Sequence, residues 1–173
     1  MTNETLETIK NRRSCRAYKP EQITNEELDA VLEAGTYAAS AMGRQSAKIV
    51  VVQDAAARAQ LTRMNAAVMG KDTDPMYGAP TILVVLADAH AANAVPDGSL
   101  VMGNLMLAAH ALGLGSCWIH RAKEEFESEE GKEILKKLGV EGNYEGIGHC
   151  ILGYTDGEEP EAKARKEGWI YRA

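Results

Sequence analysis

The segment that decides the fold covers residues 97–115, DGSLVMGNLMLAAHALGLG. Apolar side chains would lie on nearly every side of a helix here, so the pattern predicts a central, well-buried helix rather than an amphipathic surface helix. Asp97 is a good N-cap residue, and we expect the helix to begin there. A helix of this kind needs further layers of secondary structure to cover it.

Other segments can supply those layers. Short apolar runs predict strands at residues 47–54, 81–88 and about 147–153, and residues 116–120 are predicted to be an extended segment or a short strand. Helical spacing predicts four further helices: one capped by Asn3, one with a Thr24–Glu27 capping box, one over residues 55–69, and one amphipathic surface helix ending at Gly139. This order predicts an α+β or three-layer α/β fold, with helices on both faces of a small central sheet. We expect a single domain over residues 1–173, with an extended and charged C-terminal tail.

Composition excludes several classes of function. The chain has 173 residues and a formal net charge of −6, which argues against nucleic acid as a partner. No apolar stretch approaches the roughly 18–20 residues of a membrane span. Three widely spaced cysteines fit neither a disulfide framework nor a zinc site, and the N-terminal residues do not resemble a signal peptide. We therefore expect a cytoplasmic protein.

An arginine cluster stands out on this acidic chain. In NRRSCRAY, residues 11–18, Arg12, Arg13 and Arg16 surround Ser14. Cations that complement the end of the first helix would explain Arg12 or Arg13, but not Arg16, which lies beyond the predicted helix end. A phosphate clamp would use all three guanidinium groups and the hydroxyl. The residues alone leave both explanations open.

Other familiar sites are missing from the sequence. Trp118 stands where a G-x-G-x-x-G dinucleotide loop would need its third glycine. The four histidines lack metal-ligand spacing, and the serines lack the G-x-S-x-G context of an esterase. We therefore predict no metal and no side-chain nucleophile.

Five motifs, in order along nearly the whole chain, resemble those of the nitroreductase-like flavoproteins. They are RRSCRAY (12–18), ASAMGRQSAKIVVV (39–52), YGAPTILVVLAD (77–88), NLMLAAHALGLGSCWI (104–119) and ILGYTDGEEPEAKARK (151–166). The resemblance implies the nitroreductase-like three-layer fold and an intertwined homodimer, with FMN bound at each of two sites between the subunits.

The resemblance also assigns residues to the cofactor. Those expected to hold the phosphate and ribityl chain are Arg12, Ser14 and Arg16, with Lys163 and Arg165 adding phosphate contacts, and with Arg13 reaching the flavin from the same motif. The partner subunit would supply Ser40, Ala41, Met42, Gly43 and Gln45 to line the ring. The stretch Trp118, Ile119, His120 and Arg121 would run along the isoalloxazine, with backbone amides near N5 and O4.

Two features of this site distinguish the chain from the family pattern. Gly43 replaces the usual Asn, and smaller residues replace the bulky ones near positions 46 and 47, so we expect an open pocket with loose substrate selection. No side-chain acid or base is expected to be obligatory, and His120 is expected to be a wall of the pocket.

The implied reaction passes hydride from NADH or NADPH through flavin N5 to a nitroaromatic, a quinone or a similar electrophile, by a ping-pong mechanism. One alternative keeps the flavin but uses another chemistry, such as dehydrogenation or dehalogenation. A second alternative is a non-catalytic protein that stores or senses FMN. Turnover of a reduced nicotinamide would separate this second alternative from an enzyme.

Overall fold

The computed structural model describes residues 1–158 and 160–173. Its helices are α1 (Glu4–Asn11), α2 (Asn25–Thr36), α3 (Ala55–Met69), α4 (Ala94–Ala111), α5 (Ala122–Glu127) and α6 (Glu129–Lys137). Its strands are β1 (Ala47–Val52), β2 (Thr81–Asp88), β3 (Gly115–Ile119) and β4 (Tyr144–Gly153). Across the described residues, no helix combines the length and the apolar character needed to span a bilayer.

One antiparallel sheet organises the molecule. Its strand order is β1-β2-β4-β3, so β2 and β4 are central while β1 and β3 lie at opposite edges. Both faces of the sheet are covered. Val31 of α2 and Leu105 of α4 pack on one face, and helices α3, α5 and α6 pack on the other. This three-layer arrangement confirms the predicted fold class.

Helix α4 differs from its prediction in two ways. It begins at Ala94 rather than at Asp97, which lies buried in the first turn and accepts a hydrogen bond from the amide N–H of Ala41 at 3.0 Å. The acid holds a distant loop instead of capping its own helix. The helix is also buried on one side only, because Leu100 is 50% exposed on the outer side of this single chain.

The prediction of one continuous surface helix ending at Gly139 is wrong. The structure has two helices there, α5 and α6, which are separated at Ser128. The hydroxyl of Ser128 donates to the carbonyl of Glu125 and accepts from the amide of Gly131, so this residue ends one helix and caps the next. The caps predicted at Asn3 and at Thr24 with Glu27 are confirmed.

Candidate functional site

The arginine cluster lies along the outer edge of β3. Ser14 forms a parallel bridge with Ser116, and the amide of Cys15 donates to the carbonyl of Ser116 at 2.9 Å. Arg12 ends helix α1 just before this pairing. The edge of the sheet therefore holds the backbone of the cluster in place.

Arg12 directs its guanidinium inward. Its Nη1 atom is buried and makes no hydrogen bond to any described residue. Burial raises the pKa of the Cys150 thiol to about 12, and the positive charge of Arg12 opposes that rise. A buried guanidinium nitrogen without a partner is costly, so this atom indicates a site for an anion.

The other two arginines behave differently. Arg13 folds back and donates to the carbonyls of Lys10 and Arg12 at 2.7 and 2.6 Å, so it satisfies the end of α1. Arg16 is exposed, and its guanidinium carbon lies 5.9 Å from the centre of the Tyr77 ring. The helix-end explanation therefore accounts for Arg13, whereas it does not account for the buried nitrogen of Arg12.

Two further polar atoms on β3 are buried without a partner among the described residues. They are the hydroxyl of Ser116 and Nε1 of Trp118. Alternate residues of a strand share a face, so both side chains lie on the same face of the sheet. Few buried polar groups in native proteins lack a hydrogen bond. With Arg12, these atoms are suited to a ligand that carries an anion and further polar groups.

The loop at residues 40–45 lies at the other end of the sheet, because it leads directly into β1. It contains a single turn of 3-10 helix, and Met42, Gly43 and Gln45 all have left-handed backbones, with φ of 53°, 66° and 51°. Ser40 accepts a hydrogen bond from the amide of Gln45 at 3.0 Å. Since β1 and β3 are opposite edges, one chain alone does not bring this loop beside β3 by sheet pairing.

The turn after β3 is held by a side chain of α3. Ile119 is buried, His120 is exposed, and Arg121 has a left-handed φ of 79°. Asn65 of α3 donates to the carbonyl of His120 at 2.8 Å and accepts from Nε of Arg121 at 2.9 Å. Asn65 was not predicted from the sequence, where it is one of several polar residues in the Ala-rich segment 55–69.

The C-terminal tail starts beside the arginine cluster. Tyr18 and Thr155 form an antiparallel bridge, and the amide of Asp156 donates to the carbonyl of Ala17 at 2.9 Å. Antiparallel pairing directs the following residues back towards Arg16. Lys163 and Arg165 are exposed, and the guanidinium of Arg165 donates to the Lys163 carbonyl. Their convergence on the same anion as Arg12 stays a prediction.

This architecture defines a three-layer α+β protein whose N-terminal Arg-Ser segment pairs with the edge of its sheet. A family model described as the Nitroreductase family matches residues 9–75 and 69–154. A protein of Archaeoglobus fulgidus named "Putative NADH dehydrogenase/NAD(P)H nitroreductase" is 32% identical over 161 residues, which cover 90% of this chain and 88% of that protein. The chain belongs to the nitroreductase family, and it is therefore an oxidoreductase by family.

Solved structures agree with this assignment. A nitroreductase from Bacteroides fragilis with bound FMN superimposes with a TM-score of 0.91 at 34% identity, covering 99% of this chain and 100% of that one. A nitroreductase from Desulfitobacterium hafniense, also with bound FMN, gives a TM-score of 0.88 at 28% identity, with 100% of each chain covered. FMN, the cofactor predicted from the sequence, is the group that both neighbours bind.

The position of Trp118 can be tested through Gly148 of β4. A Cβ atom at Gly148 would lie 2.2 Å from Nε1 of Trp118, so Gly148→Ala must displace the indole. We expect the free energy of unfolding to fall by about 1–3 kcal/mol, as for other overpacked sites. In a Trp169→Phe background, which leaves Trp118 as the only tryptophan, its fluorescence should shift to the red. An unchanged emission spectrum would contradict the close contact between the indole of Trp118 and Gly148.

Proposed function

We propose that this protein is an FMN-dependent oxidoreductase that passes hydride from NADH or NADPH to nitroaromatic, quinone or similar electrophilic acceptors. The observation that carries the proposal is the buried and unpartnered Nη1 atom of Arg12, beside Ser14 at the edge of β3. A phosphate would supply the missing partner for this nitrogen. Both FMN-bound neighbours support the choice of that phosphate.

The residues around Arg12 fit the rest of such a ligand. Ser14, two residues after Arg12, adds a hydroxyl, and Arg16 adds an exposed cation. Ser116 and Trp118 offer two buried polar atoms that have no hydrogen bond of their own. We assign Arg12, Ser14 and Arg16 to the phosphate and ribityl chain, with Lys163 and Arg165 as further phosphate contacts.

FMN held by these residues would supply hydride-transfer chemistry at its N5 atom. The protein's part is to bind, orient and shield. Neither the amide N–H of His120 nor that of Arg121 has a hydrogen-bond partner among the described residues, so both are available as donors to the ring. Backbone amides do not titrate near neutrality, so we expect the reaction to need no side-chain acid or base.

We further propose that the protein acts as a homodimer with two sites. The loop at residues 40–45 and the strand β3 lie at opposite edges of one sheet, so a pocket lined by both needs a second chain. The outer side of α4 exposes Leu100, and the tail exposes Trp169, Ile170 and Tyr171 by 74%, 72% and 88%. Apolar surface of this extent indicates an interface.

We propose the cytoplasm as its compartment, because Cys15, Cys117 and Cys150 are all free thiols.

The alternatives of an FMN store or sensor, and of dehydrogenation or dehalogenation, are tested directly. A store or sensor would bind FMN and yet oxidise no NADH or NADPH with any acceptor. Activity confined to a different substrate class, with no nitroaromatic or quinone reduction, would favour the other flavin chemistries.

The phosphate clamp predicts how the protein discriminates between flavins. Arg12→Ala should weaken FMN binding by about 1.5–3 kcal/mol, the range for a hydrogen bond to a charged group, and should leave riboflavin binding almost unchanged. Titration of the FMN-free protein, followed by flavin fluorescence, measures both affinities. Arg63→Ala is the matched control, since this exposed arginine pairs with Glu130 on the other face of the sheet. Equal losses in the two variants would refute the clamp.

The proposed dimer interface predicts that substitutions on the two faces of the molecule affect dimerisation differently. Leu100→Glu should weaken dimerisation by about 2 kcal/mol or more, because it buries a carboxylate against an apolar surface. Val68→Glu, at a side chain 41% exposed on the opposite helical layer, should leave the dimer intact. Sedimentation at micromolar concentration distinguishes them. A wild-type monomer that binds FMN would rule out the dimer.

The reaction cycle predicts parallel lines in double-reciprocal plots of NAD(P)H against a quinone, because both substrates use one face of the ring in turn. The rate should change little between about pH 6 and 8. His120→Ala should alter acceptor preference by a modest factor. Complete loss of turnover in His120→Ala with FMN still bound would instead make His120 an acid or base.

A further inference from the structure

A group of buried polar side chains lies beneath the turn that joins β3 to α5, and the proposed reaction has not used it. Its members are Asn65 of α3, Glu125 of α5 and His149 of β4, which are 0%, 1% and 0% exposed. Charged and amide side chains are rarely buried this completely unless they are paired. The turn above them is the one assigned to the flavin ring.

Asn65 is the centre of this group. Its amide nitrogen donates to the backbone carbonyl of His120 at 2.8 Å and also to Oε1 of Glu125. Its amide oxygen accepts from Nε of Arg121 at 2.9 Å. One side chain therefore holds the main chain of the turn and the side chain that follows it.

Glu125 keeps Asn65 in that orientation. Oε1 of Glu125 accepts from the amide nitrogen of Asn65, which leaves the amide oxygen of Asn65 to accept from Nε of Arg121. Oε2 of Glu125 lies 3.2 Å from Nε2 of His149, although neither atom makes a hydrogen bond of good geometry. The carboxylate is thus enclosed between an amide and an imidazole, with no route to solvent.

The clamp fixes the direction of a particular backbone amide. In a trans peptide the C=O and the following N–H point in opposite directions. The carbonyl of His120 points down to Asn65 inside the core, so the N–H of Arg121 points up and away from the core. That N–H has no hydrogen-bond partner among the described residues.

The backbone of Arg121 needs such support. Its φ of 79° is rarely adopted by a residue with a side chain, and residues held in this way cluster at functional sites. Asn65 holds the carbonyl before Arg121 and the side chain of Arg121 itself. Loss of Asn65 would free the peptide between His120 and Arg121 to rotate.

We propose that Asn65, oriented by Glu125, is a positioning residue that directs the Arg121 amide N–H at the flavin and thereby sets the reduction potential of bound FMN. This inference rests on the proposed function. A fixed donor beside the ring favours the reduced flavin, which carries more negative charge, over the oxidised flavin. Asn65 itself contacts no part of the flavin.

The test is the potential of the FMN-loaded protein. In Asn65→Leu, affinity for reduced relative to oxidised FMN should fall about tenfold, which for a two-electron couple is a shift of about −30 mV. The absorption bands of bound FMN should also move. Affinity for oxidised FMN should change much less, because the arginine clamp is untouched.

Leu61→Ala is the matched control. Leu61 lies one turn earlier on α3, is 2% exposed and packs in the same core, so its truncation lowers stability without touching the turn. Its potential should equal that of the wild type. If Asn65→Leu does not fold, Asn65→Asp keeps the shape and the acceptor for Arg121 but, when ionised, loses the donor to His120.

The outcomes distinguish the proposed function from the positioning role of Asn65. A wild-type protein that binds no FMN would overturn the proposed function, and this inference with it. A wild-type protein that binds FMN, together with an unchanged potential in the folded Asn65 variants, would overturn the positioning role alone. An equal shift in Leu61→Ala would also overturn it. Limited trypsin digestion of the FMN-free protein gives an independent reading, since cleavage after Arg121 should be faster in the Asn65 variants than in Leu61→Ala.

Discussion

The main-chain pairing of Ser14 with Ser116 is the contact on which the site depends. It attaches the segment after α1 to the outer edge of β3, so an arginine cluster that would otherwise end a surface helix becomes part of the sheet. In that position Nη1 of Arg12 is buried and has no hydrogen-bond partner among the described residues. The same pairing places Ser14 beside Ser116, one of the two residues of β3 with an unpartnered polar side-chain atom among the described residues. The anion site that we propose is thus a consequence of one added segment at a sheet edge.

The order of the strands explains why such a protein would work as a dimer. Because β1 and β3 are opposite edges, the loop before β1 and the turn after β3 belong to different ends of one subunit. Helix α4 crosses between them and leaves Leu100 exposed on its outer side. In the dimer that we propose, pairing of two subunits would cover that surface and complete two pockets at once. Cofactor binding and assembly would then stabilise each other.

Beneath the turn, buried polar chemistry would serve a different purpose from that of the arginine cluster. In the proposed function the cluster would bind a phosphate, whereas Asn65 donates to the backbone carbonyl of His120 and to the side chain of Glu125. A backbone donor can adjust a redox cofactor without introducing a titrating group, provided that something holds it still. The backbone of Arg121 has a left-handed conformation, which the surrounding contacts must hold in place.

Much of this molecule was predictable from the sequence, because element type and capping are local properties. Hydrophobic spacing and the Thr24–Glu27 box depend on residues within a few positions of one another, and so does the Arg-Ser motif that carries the family resemblance. Other features depend on contacts across the fold. Asp97 holds a loop 56 residues away instead of capping its helix, and Asn65 reaches the carbonyl of His120 across 55 residues. The sequence by itself thus determined the family, the layers and the cation-rich segment. Only tertiary structure decided that Nη1 of Arg12 is buried without a partner among the described residues while Arg13 donates to the end of α1, because burial depends on which neighbours the sheet brings together.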